Sequence, residues 1–374
     1  MLSKHKVAII TSFPRAQRVH VYNEMARLNE VNFQVFYLRQ MPYGRHWEYG
    51  PSIEHEAVFI PEIRLRPHLY LSPGLLRAYN AYSPDLMIMT QYASPGMQLI
   101  MYVNVIKRKP WIFWSEYPGM LVPYEPIFRN KRLRDIGRKL ALLPVKYFPK
   151  EIWAIGTSAL KAYEKIVSNK IVIRNLPYFA DLDVFFEAGA DRSNHKKVRF
   201  LFCGNLHTVK GFDIVLDAIE KLYEGGLTNF ELHVAGTGPL KERLEKQIRT
   251  GRKNISYYGF LQLDKIPELY SKTDVLLFPS RYDGWGMTLP EGMAAGMPVI
   301  STDQAGSAVD IIVQGENGYR MNIPSTDQLV FYMIKFIQEP DLIRTMGDKA
   351  REMAKRYTHH IGARTFLDLI HSVL

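Results

Sequence analysis

The sequence predicts an α/β protein made of two doubly wound, Rossmann-like domains. Buried apolar strands alternate with helical patterns along the chain, which is the order that a parallel sheet covered by helices requires. In the second half, several strands end in a glycine turn that leads into a helix. The length of 374 residues is more than one hydrophobic core usually organises, so two domains are expected.

The first half alternates apolar strands with helical patterns. A helix is predicted from Val19 to Leu28, between the first two strands. The predicted strands are Val7–Thr11, Phe33–Tyr37, Leu86–Met89, Trp111–Trp114 and Glu151–Ile155. Because these runs are short, apolar and separated by helices or turn formers, they favour a doubly wound sheet.

The second half follows the same pattern. Its predicted strands are Phe200–Cys203, Phe230–Ala235, Ile255–Tyr258, Val275–Phe278 and Pro298–Ser301, and its helices are Phe212–Tyr223, Leu240–Ile248, Ile266–Tyr270 and Pro290–Ala295. The segment from Arg174 to Lys197 contains turn formers and charges and is interpreted as a linker. We therefore place the domains at residues 1–180 and 190–356, with the amphipathic segment 357–374 packing onto the first.

Composition limits the class of protein. A single cysteine, Cys203, rules out an intrachain disulfide and a cysteine-cluster metal site. The apolar run that begins at Val7 is too short for a signal peptide, and the sequence has no apolar run long enough to span a membrane. The net charge is +11, and residues 1–195 hold 26 Lys and Arg against 16 Asp and Glu. The first half thus carries nearly all the excess charge, which favours an anionic partner.

The stretch from Arg281 to Ile300 places two carboxylates around a glycine turn. Asp283 and Glu291 are eight positions apart, and Gly284 and Gly286 lie between them. Proline near the start of the following helix and glycine at its end are ordinary start and stop signals. The free N–H groups at such a helix start suit an anion or a ring of hydroxyls. A capped strand–loop–helix unit without a ligand is the alternative interpretation.

This stretch resembles the acidic motif of the family 4 retaining glycosyltransferases, whose two acids are separated by seven residues. The resemblance implies that the first acid, Asp283, lies near the transferred sugar and that Glu291 binds the ribose of the nucleotide. It also implies the GT-B fold, with two facing domains and a cleft between them. The backbone amides that would contact the sugar and the diphosphate are those of Gly284, Trp285, Gly286, Met287 and Thr288.

Further segments within residues 151–356 carry the same resemblance. The segment Gly204–Gly211 matches the family's first glycine turn, in which Lys210 would contact the diphosphate. Asn205 stands where the family usually has arginine, so either another cation such as His207 or Arg281 compensates or the diphosphate is bound more weakly. Other implied donor-binding residues are Gly236 and Gly238 of the second glycine turn and Gly259 and Phe260 near the base.

Two features of the first half remain open at this point. Glu116 follows a strand, where it either takes the place of the family's catalytic histidine or is a solvent-exposed residue at a strand end. The run 129–150 has eight cations and one acid, interleaved with apolar residues such as Leu140 and Tyr147. This pattern is typical of a helix lying on an anionic membrane, and equally of a solvated helix packed on its domain.

The predicted function is therefore a retaining, metal-independent glycosyltransferase of the hexosyltransferase kind. It would move a sugar from a UDP- or GDP-sugar to a glycan or lipid-linked acceptor in cell-surface polysaccharide synthesis, with no cofactor and no bound metal. We expect a cytoplasmic protein, peripheral on the inner face of the membrane, without a nucleic-acid partner. The alternatives are a nucleotide-sugar-binding protein without transferase activity and a sugar-nucleotide epimerase or hydrolase on the same fold.

Overall fold

The computed structural model describes residues 5–40, 51–66, 69–92, 94–116, 131–188, 197–252 and 254–374. These residues form two compact units. The first comprises the described residues up to Phe179 together with His359–Leu374, and the second comprises Ala180–Thr358. None of the helices among the described residues is both long enough and apolar enough to cross a membrane.

Strands and helices alternate through most of the chain. The strands are β1 (Lys6–Thr11), β2 (Asn32–Tyr37), β3 (Ala57–Phe59), β4 (Ile63–Arg66), β5 (Leu69–Leu71), β6 (Leu86–Met89), β7 (Trp111–Ser115), β8 (Glu151–Ala154), β9 (Val172–Asn175), β10 (Val198–Cys203), β11 (Phe230–Ala235), β12 (Ile255–Gly259), β13 (Val275–Phe278), β14 (Val299–Thr302) and β15 (Gly318–Met321). The helices are α1 (Ala16–Leu28), α2 (Leu75–Tyr82), α3 (Pro95–Ile106), α4 (Lys131–Tyr147), α5 (Thr157–Glu164), α6 (Asp183–Glu187), α7 (Phe212–Glu224), α8 (Lys241–Arg249), α9 (Ile266–Ser271), α10 (Thr288–Ala294), α11 (Gly306–Ile311), α12 (Thr326–Gln338), α13 (Asp341–Ala354) and α14 (His359–Val373).

The first unit is built on a seven-stranded sheet of order β3-β2-β1-β6-β7-β8-β9. Every pairing in it is parallel. In the central strands, Val7–Ile10 of β1 and Leu86–Met89 of β6 are apolar and have no exposed surface, as expected of strands covered by helices on both faces. A short antiparallel pair, β4 and β5, stands apart from this sheet.

The C-terminal helix α14 completes the first unit. The ring of Phe366 lies 5.1 Å from Trp114, 5.3 Å from Trp153 and 6.1 Å from Tyr22, in each case edge to face. Aromatic pairs in this arrangement contribute beyond the area they bury. The side chain of Phe366 thus contacts β7, β8 and α1 together.

The second unit is a six-stranded sheet of order β12-β11-β10-β13-β14-β15, again parallel throughout. Phe200 and Phe202 of β10 and Phe212 of α7 belong to its core. In this order β10 has β11 on one side and β13 on the other, so the strand that precedes the first glycine turn is central. Loops after all three strands therefore begin at the same edge of the sheet.

The predicted fold class is confirmed, since the chain is α/β with two doubly wound parallel sheets. The predicted linker is wrong in part. Its first two residues, Arg174 and Asn175, belong to β9, which pairs with β8, and Asp183–Glu187 form the short helix α6. The helix of the acidic motif begins at Thr288, two residues before the predicted start at Pro290. The domain functions assigned to residues 1–180 and 190–356 stay predictions.

Truncation of Phe366 to alanine is expected to destabilise the first unit by about 3–5 kcal/mol, because it leaves a cavity among three aromatic rings. Urea unfolding followed by tryptophan fluorescence measures this loss. Ile361 lies on the same helix with 43% of its surface exposed, and Ile361→Ala is expected to cost less than about 0.5 kcal/mol. Equal losses in the two variants would contradict the role given to Phe366.

Candidate functional site

Three glycine turns lie side by side at the carboxyl edge of the second sheet. Gly204 follows β10, Gly236 follows β11 and Gly259 ends β12. The backbone N–H of Gly204 donates to the carbonyl of Ala235 at 2.9 Å, and that of Gly236 donates to the carbonyl of Gly259 at 2.7 Å. The turns are thereby tied into one row beyond the ends of neighbouring strands, which is where open α/β sheets bind ligands.

The first two turns approach each other too closely for side chains. A Cβ atom on Gly236 would lie 1.8 Å from the carbonyl oxygen of Gly204, and its φ of +135° already disfavours any other residue. A Cβ atom on Gly204 would instead meet nothing within 4 Å. The backbone at Gly204 therefore faces open space on its outer side, where a ligand could approach the main chain.

Gly238 is required for a different reason. A Cβ atom there would lie 2.5 Å from Oδ1 of Asn205 and 2.7 Å from the carbonyl oxygen of Leu206. The N–H of Leu206 also donates to the carbonyl of Thr237 at 3.0 Å. Asn205 is thus packed over the second glycine turn.

Lys210 and Asp283 form an ion pair beside these turns. Lys210 ends a 3₁₀ turn that precedes α7, and its Nζ lies 2.6 Å from Oδ2 of Asp283. The two side chains are 31% and 19% exposed, so the pair is partly shielded yet reachable. A ligand phosphate at Lys210 would therefore find the cation already oriented by a carboxylate.

The loop that carries Asp283 is held on both sides. The N–H of Asp283 donates to the carbonyl of Gln304 at 3.1 Å, and its carbonyl accepts from the N–H of Gly306 at 3.0 Å. Its Oδ1 accepts from the N–H of Trp285 at 3.2 Å. Of the five amides predicted to contact the sugar and diphosphate, that of Trp285 is thus already engaged.

The two cations expected to replace the missing arginine at position 205 have other partners. Arg281 makes a two-point contact with Asp213, at 2.6 Å and 2.8 Å. Nδ1 of His207 accepts a hydrogen bond from the N–H of Val209 at 3.0 Å. The charge of Arg281 is therefore balanced by Asp213, and one ring nitrogen of His207 is used to hold the turn before α7.

Glu291 lies in helix α10 and is half-buried. Burial raises the pKa of its carboxyl to about 8, and the hydroxyl of Tyr270, which donates to Oε2 at 3.5 Å, offsets this only in part. Burial likewise raises the pKa of the Cys203 thiol to about 12. At neutral pH, Glu291 is thus largely protonated until a ligand supplies hydrogen bonds that favour the carboxylate.

The remaining predicted donor residues differ in accessibility. The indole of Trp285 is 2% exposed, so its side chain is not accessible to a ligand. Gly286 has a φ of +86°, and a Cβ atom there would lie 3.1 Å from the ring of Phe278. Phe260, beside Gly259, is 40% exposed. Met287 and Thr288 are half-buried at the start of α10.

Glu116 belongs to a polar cluster at the carboxyl edge of the first sheet. Its Oε1 accepts a hydrogen bond from the hydroxyl of Tyr178 at 2.9 Å and lies 3.8 Å from Nη1 of Arg15. Its side chain is 32% exposed, and its assignment as a catalytic residue stays a prediction.

Arg18 is linked to Glu116 through the hydroxyl of Tyr178, and the sequence analysis did not identify it. The buried guanidinium donates to Thr11 Oγ1 at 2.7 Å and to the hydroxyl of Tyr178 at 3.0 Å, and it lies 4.7 Å from the ring of Trp114. Burial raises the pKa of Tyr178. The available signal was an arginine inside the apolar pattern of α1, next to Val19 and Tyr22.

Glu24, His359 and His360 also bring possible metal-ligand atoms within 4.8 Å of one another. Nδ1 of His360 lies 3.1 Å from Glu24, which is also 3.4 Å from Arg27. The carboxylate thus already pairs with Arg27 and contacts His360, and we assign no metal to the cluster.

Comparison with known proteins finds similarity within the second unit. Residues 185–353 match the family model described as glycosyl transferases group 1. An uncharacterized glycosyltransferase of Methanocaldococcus jannaschii is 29% identical over 159 residues, which cover 42% of this chain and 43% of the relative. N-acetyl-alpha-D-glucosaminyl L-malate synthase of Bacillus anthracis is 24% identical over 208 residues, 54% of each protein. The matched segments thus span about half the length of these curated relatives.

Solved structures extend the likeness to both units. Sucrose-phosphate synthase from Thermosynechococcus elongatus has a TM-score of 0.72 with 16% identity and covers 99% of both chains. Anabaena HepE in complex with UDP has a TM-score of 0.73 with 14% identity and covers 98% of this chain and 100% of its own. These neighbours show that the fold is GT-B.

The raised pKa of Glu291 predicts a pH dependence of stability. Since the folded-state pKa of about 8 lies above the ordinary 4.5, the folded protein holds a proton that the unfolded chain releases between these values. The contribution of Glu291 to stability is therefore present below about pH 4.5 and is lost as the pH rises toward 8. Denaturant unfolding of the wild type and of Glu291→Gln between pH 5 and 8 measures it. The free energy of unfolding should fall more steeply in the wild type, and parallel curves would place Glu291 in a solvated environment.

Proposed function

We propose that this chain is a nucleotide-sugar-dependent, retaining glycosyltransferase that binds its donor at the glycine turns of the second unit. The observation that carries the proposal is the row of Gly204, Gly236 and Gly259 beside the Lys210–Asp283 pair. The row lies within the segment that matches the glycosyl transferases group 1 model. Solved complexes of Anabaena HepE with UDP and with UDP-glucose support a nucleotide sugar as the donor class.

The donor would be held by three chemically distinct groups. The exposed ring of Phe260 would stack on the base, and ionised Glu291 would accept hydrogen bonds from the ribose hydroxyls. Lys210 would contact the diphosphate next to the open backbone of Gly204. Since His207 and Arg281 are engaged elsewhere and Asn205 is uncharged, Lys210 would carry the positive charge at this position.

Catalysis would depend on positioning and on stabilising the departing nucleotide diphosphate, for which preorganised cations and amides are effective. Asp283 would lie near the transferred sugar, while its second oxygen fixes the loop through the amide of Trp285. Glu116 is the proposed catalytic carboxylate of the first unit, oriented by Tyr178 and Arg15. No metal or cofactor is part of this scheme.

The acceptor is proposed to be a glycan or a lipid-linked glycan bound by the basic first unit, in cell-surface polysaccharide synthesis. Support for this role comes from an uncharacterized protein of the cps region of Klebsiella pneumoniae, which is 29% identical over 138 residues.

Replacement of Lys210 by alanine is expected to lower kcat by on the order of a hundredfold or more, as loss of one preorganised charge at the leaving group does. Thermal-shift screening with UDP, GDP and their sugars would first identify the donor, and transfer and donor hydrolysis would then be measured with and without a glycan acceptor. Lys221→Ala is the matched control, because it also removes a lysine that pairs with an aspartate, Asp327, but one in the last turn of α7. Normal turnover in Lys210→Ala would refute the assignment. Nucleotide binding without transfer would favour a binding protein.

Replacement of Glu291 by glutamine is expected to weaken binding of the nucleoside diphosphate by about 1.5–3 kcal/mol, the range for a hydrogen bond to a charged group. Calorimetry should also show wild-type affinity rising as the pH approaches 8, because the hydroxyls bind the carboxylate form. The glutamine variant should lack this rise. Equal affinities and equal pH profiles would remove Glu291 from the ribose site.

A further inference from the structure

Helices α3 and α4 of the first unit expose an unusual amount of apolar surface. On α3, Met97, Ile100 and Met101 are buried, while Leu99, Tyr102 and Ile106 are exposed, Ile106 to 79%. On α4 and just after it, the exposed apolar side chains are Ile136, Leu140, Leu143, Tyr147 and Phe148.

The exposed residues of α4 lie on one side of the helix. At about 100° per residue, Ile136, Leu140, Leu143 and Tyr147 fall within an arc of about 60°. Leu142 and Val145 are buried on the opposite side. The orientation of the helix is therefore set by its packing on the sheet, and the outward apolar arc remains at the surface.

The two helices are neighbours. Nε2 of Gln98 on α3 donates to the carbonyl of Ala141 on α4 at 2.8 Å. Val105 and Phe148, each seven residues further along, line one cavity. The helices thus run side by side in the same direction, and we call their joint exposed surface the α3–α4 face.

The α3–α4 face is strongly basic. Asp135 is the single acidic residue of α4, and α3 has none, whereas residues 107–109 and 129–150 contain eleven Lys and Arg. Lys107 donates to Asn80 Oδ1 at 3.0 Å, Lys109 to the carbonyl of Pro84 at 2.8 Å, and Lys150 to the carbonyl of Val373. These acceptors are neutral, so the contacts hold the lysines without cancelling their charge.

A basic cavity of about 320 Å³ lies where the two helices end. Its lining includes Arg108, Lys109, Lys150 and Phe148, and also Trp111, the first residue of β7. The indole of Trp111 is 1% exposed, and its Nε1 has no hydrogen-bond partner among the described residues. The cavity therefore combines several cations with an unused N–H donor, a combination that suits a phosphate group. It lies at the amino ends of β7 and β8, the opposite edge of the sheet from Glu116.

We propose that the α3–α4 face binds an anionic membrane surface, with its apolar side chains in the interface and a lipid phosphate in the cavity lined by Arg108 and Trp111. Lysine and arginine beside an apolar arc are typical of helices that lie in the membrane interface. Protein–protein interfaces are instead depleted in lysine, so a second copy or another protein is the less favoured occupant. The proposal does not depend on the proposed donor site, which lies in the other unit.

Vesicle co-sedimentation of the full chain tests this proposal. Binding is expected to vesicles that contain phosphatidylglycerol, to weaken with salt, and to be at least tenfold weaker with phosphatidylcholine alone. The triple variant Ile136→Ser, Leu140→Ser and Tyr147→Ser should lose binding at least tenfold, as should a variant with Arg108→Glu and Lys107→Glu. The matched control, Ile323→Ser with Phe331→Ser, removes equally exposed apolar residues from the second unit and should bind as the wild type does.

Three outcomes would overturn the proposal. The first is equal binding to neutral and anionic vesicles, and the second is unchanged binding of the triple variant. The third is a wild-type dimer in sedimentation velocity that becomes a monomer in the triple variant, which would make the face a contact between two copies of the chain. The thermal shift produced by a nucleoside diphosphate should be the same in every variant. Failure of the membrane proposal is thereby separated from failure of the proposed function, and an intact shift also shows that the second unit is folded. Circular dichroism checks the first unit.

Discussion

The contact between the turns at Gly204 and Gly236 is the constraint on which the candidate site depends. Two neighbouring parallel strands end there with their main chains so close that a single methyl group would not fit between them. Because no side chain intervenes, backbone atoms form the floor of the site at Gly204. The chain leaves this contact at Asn205, which therefore packs over Gly238. It then makes one short turn that ends at Lys210.

Much of the fold was readable from the sequence, because buried parallel strands are short apolar runs that end at glycine or polar turns. Val275–Phe278 and Phe230–Ala235 were predicted with their exact bounds for this reason. β9 was missed because Val172–Asn175 lies at the edge of its sheet and is half polar, so its pattern resembles a loop. The start of α10 was misplaced because proline was taken as the first helical residue, whereas it occupies the third position.

The site was predicted by residue type and motif but not by its interactions. Lys210 and Asp283 are 73 positions apart, and nothing local in either segment shows that they pair. The raised pKa of Glu291 arises from desolvation by residues packed around α10, which a sequence pattern does not display. Arg18 was missed for a similar reason, since a buried arginine is recognisable only once Tyr178, 160 residues away, is seen to accept its hydrogen bond.

The return of α14 to the first unit has a consequence for how the protein is made. Ala180–Thr358 form one continuous segment, so the second unit has all of its residues before the first has its last helix. During synthesis from the N-terminus, Trp114 and Trp153 would lack their contacts with Phe366 until the whole second unit has been synthesised. The first unit would then complete its core only after the second unit has been synthesised, so its folding depends on a helix that is separated from its sheet by the whole second unit.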